Sequence, residues 1–330
     1  MESIGTWWLW LGFACFVIAA VSVDLVVLRA QGAHRVSQRE ALSWTVLWVA
    51  LALAFCGGLW MWLDHSSGRE LANLKATEFL TGYLIEKSLS VDNLFVFLML
   101  FTYFAVPSEY QKRMIVLGVI GAIVLRALMI LLGALLISRF HWILYGFGLF
   151  LLLTGAKMLW FADASPDLEN NPALRWMRGH LRITPQFHGE RLSVMQNGQR
   201  WVTPLFVVLV LVAVTDMIFA VDSIPAVYAV TTDPFIVMTA NIFAILGLRA
   251  LYFLLADMKE RFHLLTYGLA LVLIFVGTKM LIAGWIKVPP LWSLGVVVGL
   301  LTASIVISVL APPAPPQPGK GLGLEPRNEI

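Results

Sequence analysis

Long apolar stretches constrain this chain more than any other feature of its sequence. Stretches of about 20 residues, the length with which an α-helix crosses the hydrocarbon of a bilayer, can be placed near 6–28, 41–63, 78–104, 114–137, 141–161, 203–230, 234–256, 263–284 and 290–311. Of the 330 residues, 59% are hydrophobic and only 13% are charged, unlike soluble globular domains. The sequence therefore predicts an all-α polytopic membrane protein, embedded in a lipid bilayer by about nine transmembrane helices.

The distribution of Lys and Arg predicts the orientation of these spans, because basic loops remain in the cytoplasm. One side carries Arg29, Arg35, Arg39, Lys112, Arg113, Arg175, Arg178, Arg182, Arg191, Arg200, Lys259, Arg261, Lys320 and Arg327. The other side carries Arg69, Lys75, Arg139 and Lys287. We therefore expect the N-terminus outside and the C-terminus in the cytoplasm, which requires an odd number of spans.

An internal repeat relates two parts of the chain. FHWILYGFGLFLLLTGAKML, from Phe140, recurs with conserved spacing as FHLLTYGLALVLIFVGTKML, from Phe262. Upstream, LRAL around Arg126 recurs around Arg249. Spans three to five thus repeat as spans six to eight. A unit of three crossings places its second copy upside down, so the sequence predicts an inverted three-helix repeat, an arrangement common in secondary transporters. The alternative is an old duplication kept only for packing.

The repeat divides the chain into six parts. We expect the first two spans in 1–75, repeat one in 76–161, a polar cytoplasmic connector in 162–202, repeat two in 203–284 and the ninth span in 285–311. The connector is long enough for a short surface helix near 171–182. The tail, 312–330, is rich in Pro and Gly and is expected to be disordered.

Four carboxylates lie inside the predicted spans, as the pairs Glu86 with Asp92 and Asp216 with Asp222. A charged side chain at the bilayer centre costs about 2.5 to 3.5 kcal/mol or more, so such residues usually face a cavity, a counter-charge or an ion. A six-residue step on a helix turns the side chain by about 120°. Either each acid meets a partner from the other repeat, or the helix opens between them, and Pro225 favours opening near Val221 and Asp222.

Antiparallel packing of spans three and six would bring the four acids together. With Asn93, Ser223 and Asn241 they would form an oxygen-rich site for a divalent cation. Carboxylate and amide oxygens suit Mg²⁺, Ca²⁺ or Mn²⁺, whereas copper and zinc favour the Cys and His that both segments lack. The sequence thus indicates a metal site within the membrane.

Two other interpretations of these acids remain open. Lys87, Arg126 and Arg249 also lie in spans and could balance three of the four charges as a buried scaffold. Intramembrane carboxylates also serve as proton relays. Asp24, in the first span, lies outside the repeat and either lines the pathway or caps a helix end.

The motifs that would indicate other classes of protein are missing from the sequence. There is no GxxxxGK[ST], HExxH or CxxC, which argues against an enzyme, an ATP-driven pump or a bound cofactor. Cys15 and Cys56 are single thiols in apolar spans. Basic clusters interleaved with aromatic residues are also missing, so nucleic acid is not an expected partner.

Three segments resemble one family of bacterial membrane proteins. EKSLSVDN from Glu86, FAVDSIPA from Phe219 and NIFAILGLRALYF from Asn241 closely resemble the TerC family, named for tellurium resistance, and in particular its alkaline-induced branch. The resemblance runs from the first span to about residue 311. It implies a fold similar to the LysE-like transporters and export of Mn²⁺ across the bacterial inner membrane.

The resemblance also carries roles for individual residues. The acidic motif residues of the family match Glu86, Asp92, Asp216 and Asp222, with Asn93, Ser223 and Asn241 beside them. A coupling ion, H⁺ or Na⁺, is left open, as is the oligomeric state. The family name carries two older functions, tellurium or stress resistance as part of a complex and modulation of the redox state of the membrane, which stand as alternatives.

Overall fold

The structure is a computed structural model that describes residues 3–31, 38–140, 142–160, 172–196, 198–256, 264–286 and 288–310. Within its helices, the side chains of residues 24, 27–31, 91, 92, 95, 108, 249, 255 and 256 lie outside the described part. The predicted disordered tail also falls outside it.

Eleven helices and one hairpin form the described chain. The helices are α1 Trp7–Gln31, α2 Gln38–Ser66, α3 Arg69–Tyr103, α4 Ser108–Arg139, α5 Ile143–Trp160, α6 Pro172–His180, α7 Pro204–Tyr228, α8 Pro234–Leu246, α9 Leu248–Ala256, α10 Leu265–Ile282 and α11 Pro290–Leu310. Strands β1 Ser193–Gln196 and β2 Gln199–Val202 pair antiparallel between α6 and α7, with Ser193 opposite Val202.

Every predicted span coincides with a helix or a helix pair. Six described helices are long and apolar enough to cross a membrane: α2, α4 from Glu109, α5, α7, α10 and α11. Two shorter apolar segments are Trp7–Val23 and Pro234–Leu246. The longest helix, α3, is not among the six and carries Glu78, Glu86, Lys87 and Asp92. The chain is therefore a helical, multi-pass membrane protein, and the total of nine spans stays a prediction.

Three local expectations need correction or refinement. The helix does not open at Asp222, since α7 continues through Pro225 to Tyr228. Pro225 lacks only its own backbone bond to the carbonyl of Val221, and the next turn still closes, because the Ala229 N–H donates to the Pro225 carbonyl. The seventh predicted span is instead two helices, divided at Gly247. The connector contains the expected surface helix, α6, but also the β1–β2 hairpin, so the described fold is not entirely α-helical.

Helices α3 and α7 pack against each other in antiparallel directions. A Cβ atom at Gly82 would lie 3.1 Å from a methyl group of Val227. One turn further along α3, Glu86 lies beside Ser223, which precedes Val227 on α7. Residue numbers increase along α3 in the direction in which they decrease along α7, so the two helices run antiparallel. This packing is the one considered above for spans three and six.

Three charged residues of the core lie between two apolar clusters. The first and second clusters meet on α3 between Tyr83 and Leu94, on α4 between Ala122 and Ile130, and on α7 between Val212 and Ala220. Glu86, Arg126 and Asp216 fall in these three intervals. The bundle therefore holds these three charges in one polar layer with packed hydrocarbon on either side.

Glycines bring α5 and α10 into backbone contact. A Cβ atom at Gly155 would lie 2.8 Å from the carbonyl oxygen of Ala270, and one at Gly277 would lie 2.7 Å from that of Gly148. Small residues at membrane helix crossings allow such close approach. The two helices, which carry the repeated FH…GxKM segments, therefore pack directly on each other.

We expect Gly155→Ala to lower the stability of the protein by about 1–3 kcal/mol, because the added methyl group forces the two backbones apart. Gly146→Ala, on the same helix, is the matched control, since nothing lies within 4 Å of its Cβ position. Thermal unfolding of both variants in detergent measures the difference. An unchanged melting temperature for Gly155→Ala would contradict the close crossing.

Candidate functional site

A buried ion cluster lies at the centre of the polar layer. Nη1 of Arg126 donates to Oε2 of Glu86 at 2.6 Å, and Nη2 donates to Oδ1 of Asp216 at 3.1 Å. The side chains of Arg126 and Glu86 are 0% exposed and that of Asp216 is 3% exposed. Arg126 thus ties repeat one to repeat two through one acid from each. Two carboxylates against one guanidinium leave one formal negative charge in excess.

The second carboxylate oxygen of Glu86 lies among other buried polar side chains. Oε1 of Glu86 has no hydrogen-bond partner among the described residues, nor do Oγ of Ser223 and both amide atoms of Asn241. Ser223 from α7 and Asn241 from α8 lie beside the Glu86 carboxylate, but neither forms a hydrogen bond of good geometry with it. Buried polar groups are normally paired, so these groups leave hydrogen-bonding capacity unused at this point of the bundle.

Asn93 extends this cluster along α3. With its amide oriented to satisfy both polar atoms, the Asn93 oxygen accepts from Nη2 of Arg126 at 3.1 Å and the nitrogen donates to the carbonyl of Leu89 at 3.0 Å. The same Arg126 therefore holds Glu86, Asp216 and Asn93. One acid from each repeat therefore contacts the same arginine.

Asp222 lines a cavity of about 280 Å³ between α3, α5, α7 and α10. The hydroxyl of Thr154 donates to Oδ1 of Asp222 at 3.5 Å, and Lys157 and Asn93 line the same cavity. The structure thus joins Glu86 and Asp216 through Arg126 and places Asp222 at a separate cavity. Asn93 belongs to both places and connects them.

Lys87, expected to balance an acid, is used differently. Its Nζ donates to the carbonyl oxygen of Ala244 at 3.2 Å, at the end of α8. A Cβ atom at Gly247 would lie 2.7 Å from this Nζ, so the glycine makes room for the ammonium group. A cation at a helix C-terminus interacts favourably with the last carbonyls. Lys87 therefore stabilises the break between α8 and α9.

Three predicted site residues cannot be placed by their side chains. Asp24, Asp92 and Arg249 lie on described helices, but their side chains are outside the described part. Among the side chains that are described, no three from His, Cys, Asp and Glu form a group that could hold a metal. The described candidate ligands are instead one carboxylate with neighbouring hydroxyl and amide oxygens.

The sequence analysis missed Tyr83, Ser90 and Thr154. Tyr83 and Ser90 are buried on α3, and their hydroxyl groups have no partner among the described residues. A signal for them exists in the sequence, since Tyr83, Glu86, Ser90 and Asn93 follow the 3-4-3 spacing of one helix face. No comparable local signal marks Thr154, whose contact with Asp222 depends on the packing of α5 against α7.

The fold and the buried site together define a class: a multi-pass α-helical membrane protein with an ion cluster inside its bundle. Residues 71–314 match the family described as "Integral membrane protein TerC family". The chain belongs to this family, which confirms the resemblance inferred from its motifs. No solved structure matches the chain.

Similar proteins cover nearly the whole chain. A Salmonella typhi protein is 53% identical over 308 residues, 93% of this chain and 96% of its own length. An Escherichia coli K12 protein is 52% identical over the same shares. Both are named "Putative membrane-bound redox modulator Alx". A Myxococcus xanthus protein, named "Uncharacterized membrane protein STKORF319", is 47% identical over 93% of this chain and 94% of its own length.

Proposed function

We propose that this protein exports manganese(II) across the bacterial inner membrane, with Glu86 as the central ligand. The observation that carries the proposal is the unpaired Oε1 of Glu86 beside Ser223 and Asn241, all buried. Carboxylate, hydroxyl and amide oxygens are the ligands that hard divalent cations prefer. Within that class of cation, the resemblance to the TerC family points to manganese.

The charge of the ion cluster also favours a cation as cargo. Glu86 and Asp216 carry one negative charge more than Arg126 compensates. An unpaired charge is costly in a membrane interior, and a divalent cation that binds the free Glu86 oxygen would offset it. Asp222, in the adjoining cavity, adds a further carboxylate that would attract the same ion.

Reciprocal contacts between α5 and α10 support an inverted repeat that works by alternating access. In the repeat, whose copies are 122 residues apart, Gly155 corresponds to Gly277 and Gly148 corresponds to Ala270. The contact Gly155–Ala270 therefore corresponds to the contact Gly277–Gly148, and both are present. A two-fold relation between the copies produces such isologous contacts. In transporters built this way, the halves rock around a fixed site near the bilayer midplane. We include nine spans, an external N-terminus and a cytoplasmic C-terminus in this proposal.

We expect Asp222→Asn to reduce Mn²⁺ flux in proteoliposomes by about 10- to 100-fold or more, because the loss of a residue that only supports a metal ligand already has an effect of that size. The substitution removes the negative charge of the Asp222 side chain from the cavity but keeps the shape of the side chain. Asp64→Asn, at an exposed pair with Arg69, is the matched control. Wild-type flux from Asp222→Asn would exclude Asp222 from the pathway.

The same assay determines selectivity and coupling. Ca²⁺ and Mg²⁺ are added as competitors, and proton and sodium gradients are imposed in turn to identify the counter-ion. If wild-type protein carries no Mn²⁺ under any gradient, manganese export is wrong.

A second candidate function, modulation of redox state, is favoured by the name of the Salmonella and Escherichia relatives. This function needs an electron carrier, and bound haem or flavin would appear in the absorption spectrum of the purified protein. A spectrum with such a cofactor, together with no Mn²⁺ flux, would favour the redox function. No flux and no cofactor would favour a subunit of a tellurium- or stress-resistance complex.

A further inference from the structure

Four buried polar residues form a stripe along α3: Tyr83, Glu86, Ser90 and Asn93, here called the α3 stripe. Their exposed fractions are 3%, 0%, 0% and 2%. At 100° per residue, the four side chains fall within about 80° of one another and extend about 15 Å along the helix, half of the about 30 Å of bilayer hydrocarbon. A helix face of this kind is normally apolar when it is buried.

Three atoms of the α3 stripe have no hydrogen-bond partner among the described residues: the hydroxyl of Tyr83, Oε1 of Glu86 and the hydroxyl of Ser90. Unpaired atoms of Ser223 and Asn241 face the middle of the stripe at Glu86. Hydroxyl groups in membrane helices can bond to the carbonyl four residues earlier, as Ser88 does with Leu84 at 2.8 Å. Ser90 does not use that local solution, so its oxygen remains available.

The stripe meets the Asp222 cavity at one end. Asn93, the last residue of the stripe, also lines that cavity. Beyond Glu86, at the other end, Tyr83 joins the first apolar cluster, where its ring stacks near Phe79 at 6.2 Å between centroids. Polar side chains therefore lie along α3 on both sides of Glu86, from Asn93 at the Asp222 cavity to Tyr83 beside Phe79.

We propose that the α3 stripe is the path of the cation, with Ser90 and Tyr83 as specificity-determining oxygens on either side of Glu86. The identity of the cargo in this inference rests on the proposed function. A divalent cation enters from the Asp222 cavity past Asn93 and exchanges bound water for the oxygen of Ser90 before it reaches Glu86. The Tyr83 hydroxyl is the next oxygen along the path, at the boundary of the apolar cluster.

Accessibility of single cysteines tests the path. Ser90→Cys, Tyr83→Cys and Ser88→Cys are made in a background with Cys15→Ala and Cys56→Ala, and each is treated in membranes with a water-soluble, cationic methanethiosulfonate. Thiols in apolar surroundings react slowly, so we expect the cysteines at 90 and 83 to react about 10-fold or more faster than the one at 88. Mn²⁺ should slow both reactions.

The control makes this test stringent. Ser88 is on the same helix and more exposed than Ser90, so exposure in the structure alone predicts the opposite order of reaction. Equal or faster reaction at 88 would overturn the path. Reaction at 90 and 83 in a protein that carries no Mn²⁺ would retain the path and reject manganese export, whereas Mn²⁺ flux without this reaction pattern would reject the path alone.

Selectivity gives a second measurement that does not require a cysteine. We expect Ser90→Ala to change the ratio of Mn²⁺ flux to Ca²⁺ flux several-fold, because the ion loses one oxygen along its path. Ser88→Ala should leave the ratio at its wild-type value. If Ser90→Ala changes the ratio no more than Ser88→Ala does, Ser90 is not a specificity-determining residue.

Discussion

Arg126→Met is expected to destabilise the folded protein by about 3–5 kcal/mol, the usual cost of removing one partner from a buried ion pair. The substitution leaves Glu86 and Asp216 charged in a layer that excludes solvent almost completely. Methionine fills most of the arginine volume, so the lost charge dominates the effect. The melting temperature in detergent and the folded fraction after extraction measure the loss.

Arg113→Met provides a control, because the Arg113–Glu190 ion pair has the same nitrogen–oxygen distance as the Arg126–Glu86 pair. Nη1 of Arg113 lies 2.6 Å from Oε2 of Glu190, but the two side chains are 40% and 48% exposed. Exposed pairs contribute only about 0–1 kcal/mol. A variant that combines Arg126→Met with Glu86→Gln and Asp216→Asn should regain much of the stability, because no buried charge is left unpaired. Equal melting temperatures for Arg126→Met and Arg113→Met would contradict the role of the ion cluster.

Glu86→Gln is expected to abolish Mn²⁺ transport and to leave the fold intact. Glutamine keeps the volume and an oxygen that can accept from Arg126, which also remains paired with Asp216. The negative charge beside Ser223 and Asn241 is lost, and with it the main attraction for the ion. Flux should decrease by about 10- to 100-fold or more, because the loss of a residue that only supports a metal ligand already has an effect of that size.

Glu70→Gln is the matched control for this experiment. Glu70 lies on the same helix, α3, in its exposed first turn. Flux is measured in proteoliposomes that contain equal amounts of monodisperse protein, so that a folding defect is not mistaken for a transport defect. Full flux from Glu86→Gln would remove the central ligand from the proposed mechanism, even if Mn²⁺ is transported.

Local sequence patterns predicted most of the helices, since crossing a bilayer requires about 20 apolar residues and each such stretch can be recognised by itself. The same patterns were less informative where a helix breaks. Pro225 suggested an opening in α7 that is not there, because the proline removes one backbone bond and the helix continues past it to Tyr228. At the break, Lys87 from another helix bonds the end of α8 beside Gly247, and that contact cannot be read from the local pattern.

The sequence suggested candidate site residues but could not give their arrangement. The acids stood out because charges within apolar stretches are costly. Their partners did not, because helix periodicity fixes the direction of a side chain relative to its own helix and not which helix lies opposite. Arg126 was one of three possible counter-charges, and the packing of α7 against both α3 and α4 brings it to Glu86 and Asp216.

The sequence by itself determined that the chain is a membrane protein of the TerC family, with paired intramembrane acids in an internal repeat. These properties are local in the chain, as hydropathy, charge and motif spacing. Only the tertiary structure decided that Arg126 joins Glu86 to Asp216, that Asp222 faces a separate cavity, and that Asn93 belongs to both places. Those relations depend on which helix faces meet, and that is determined by the packing of the whole bundle.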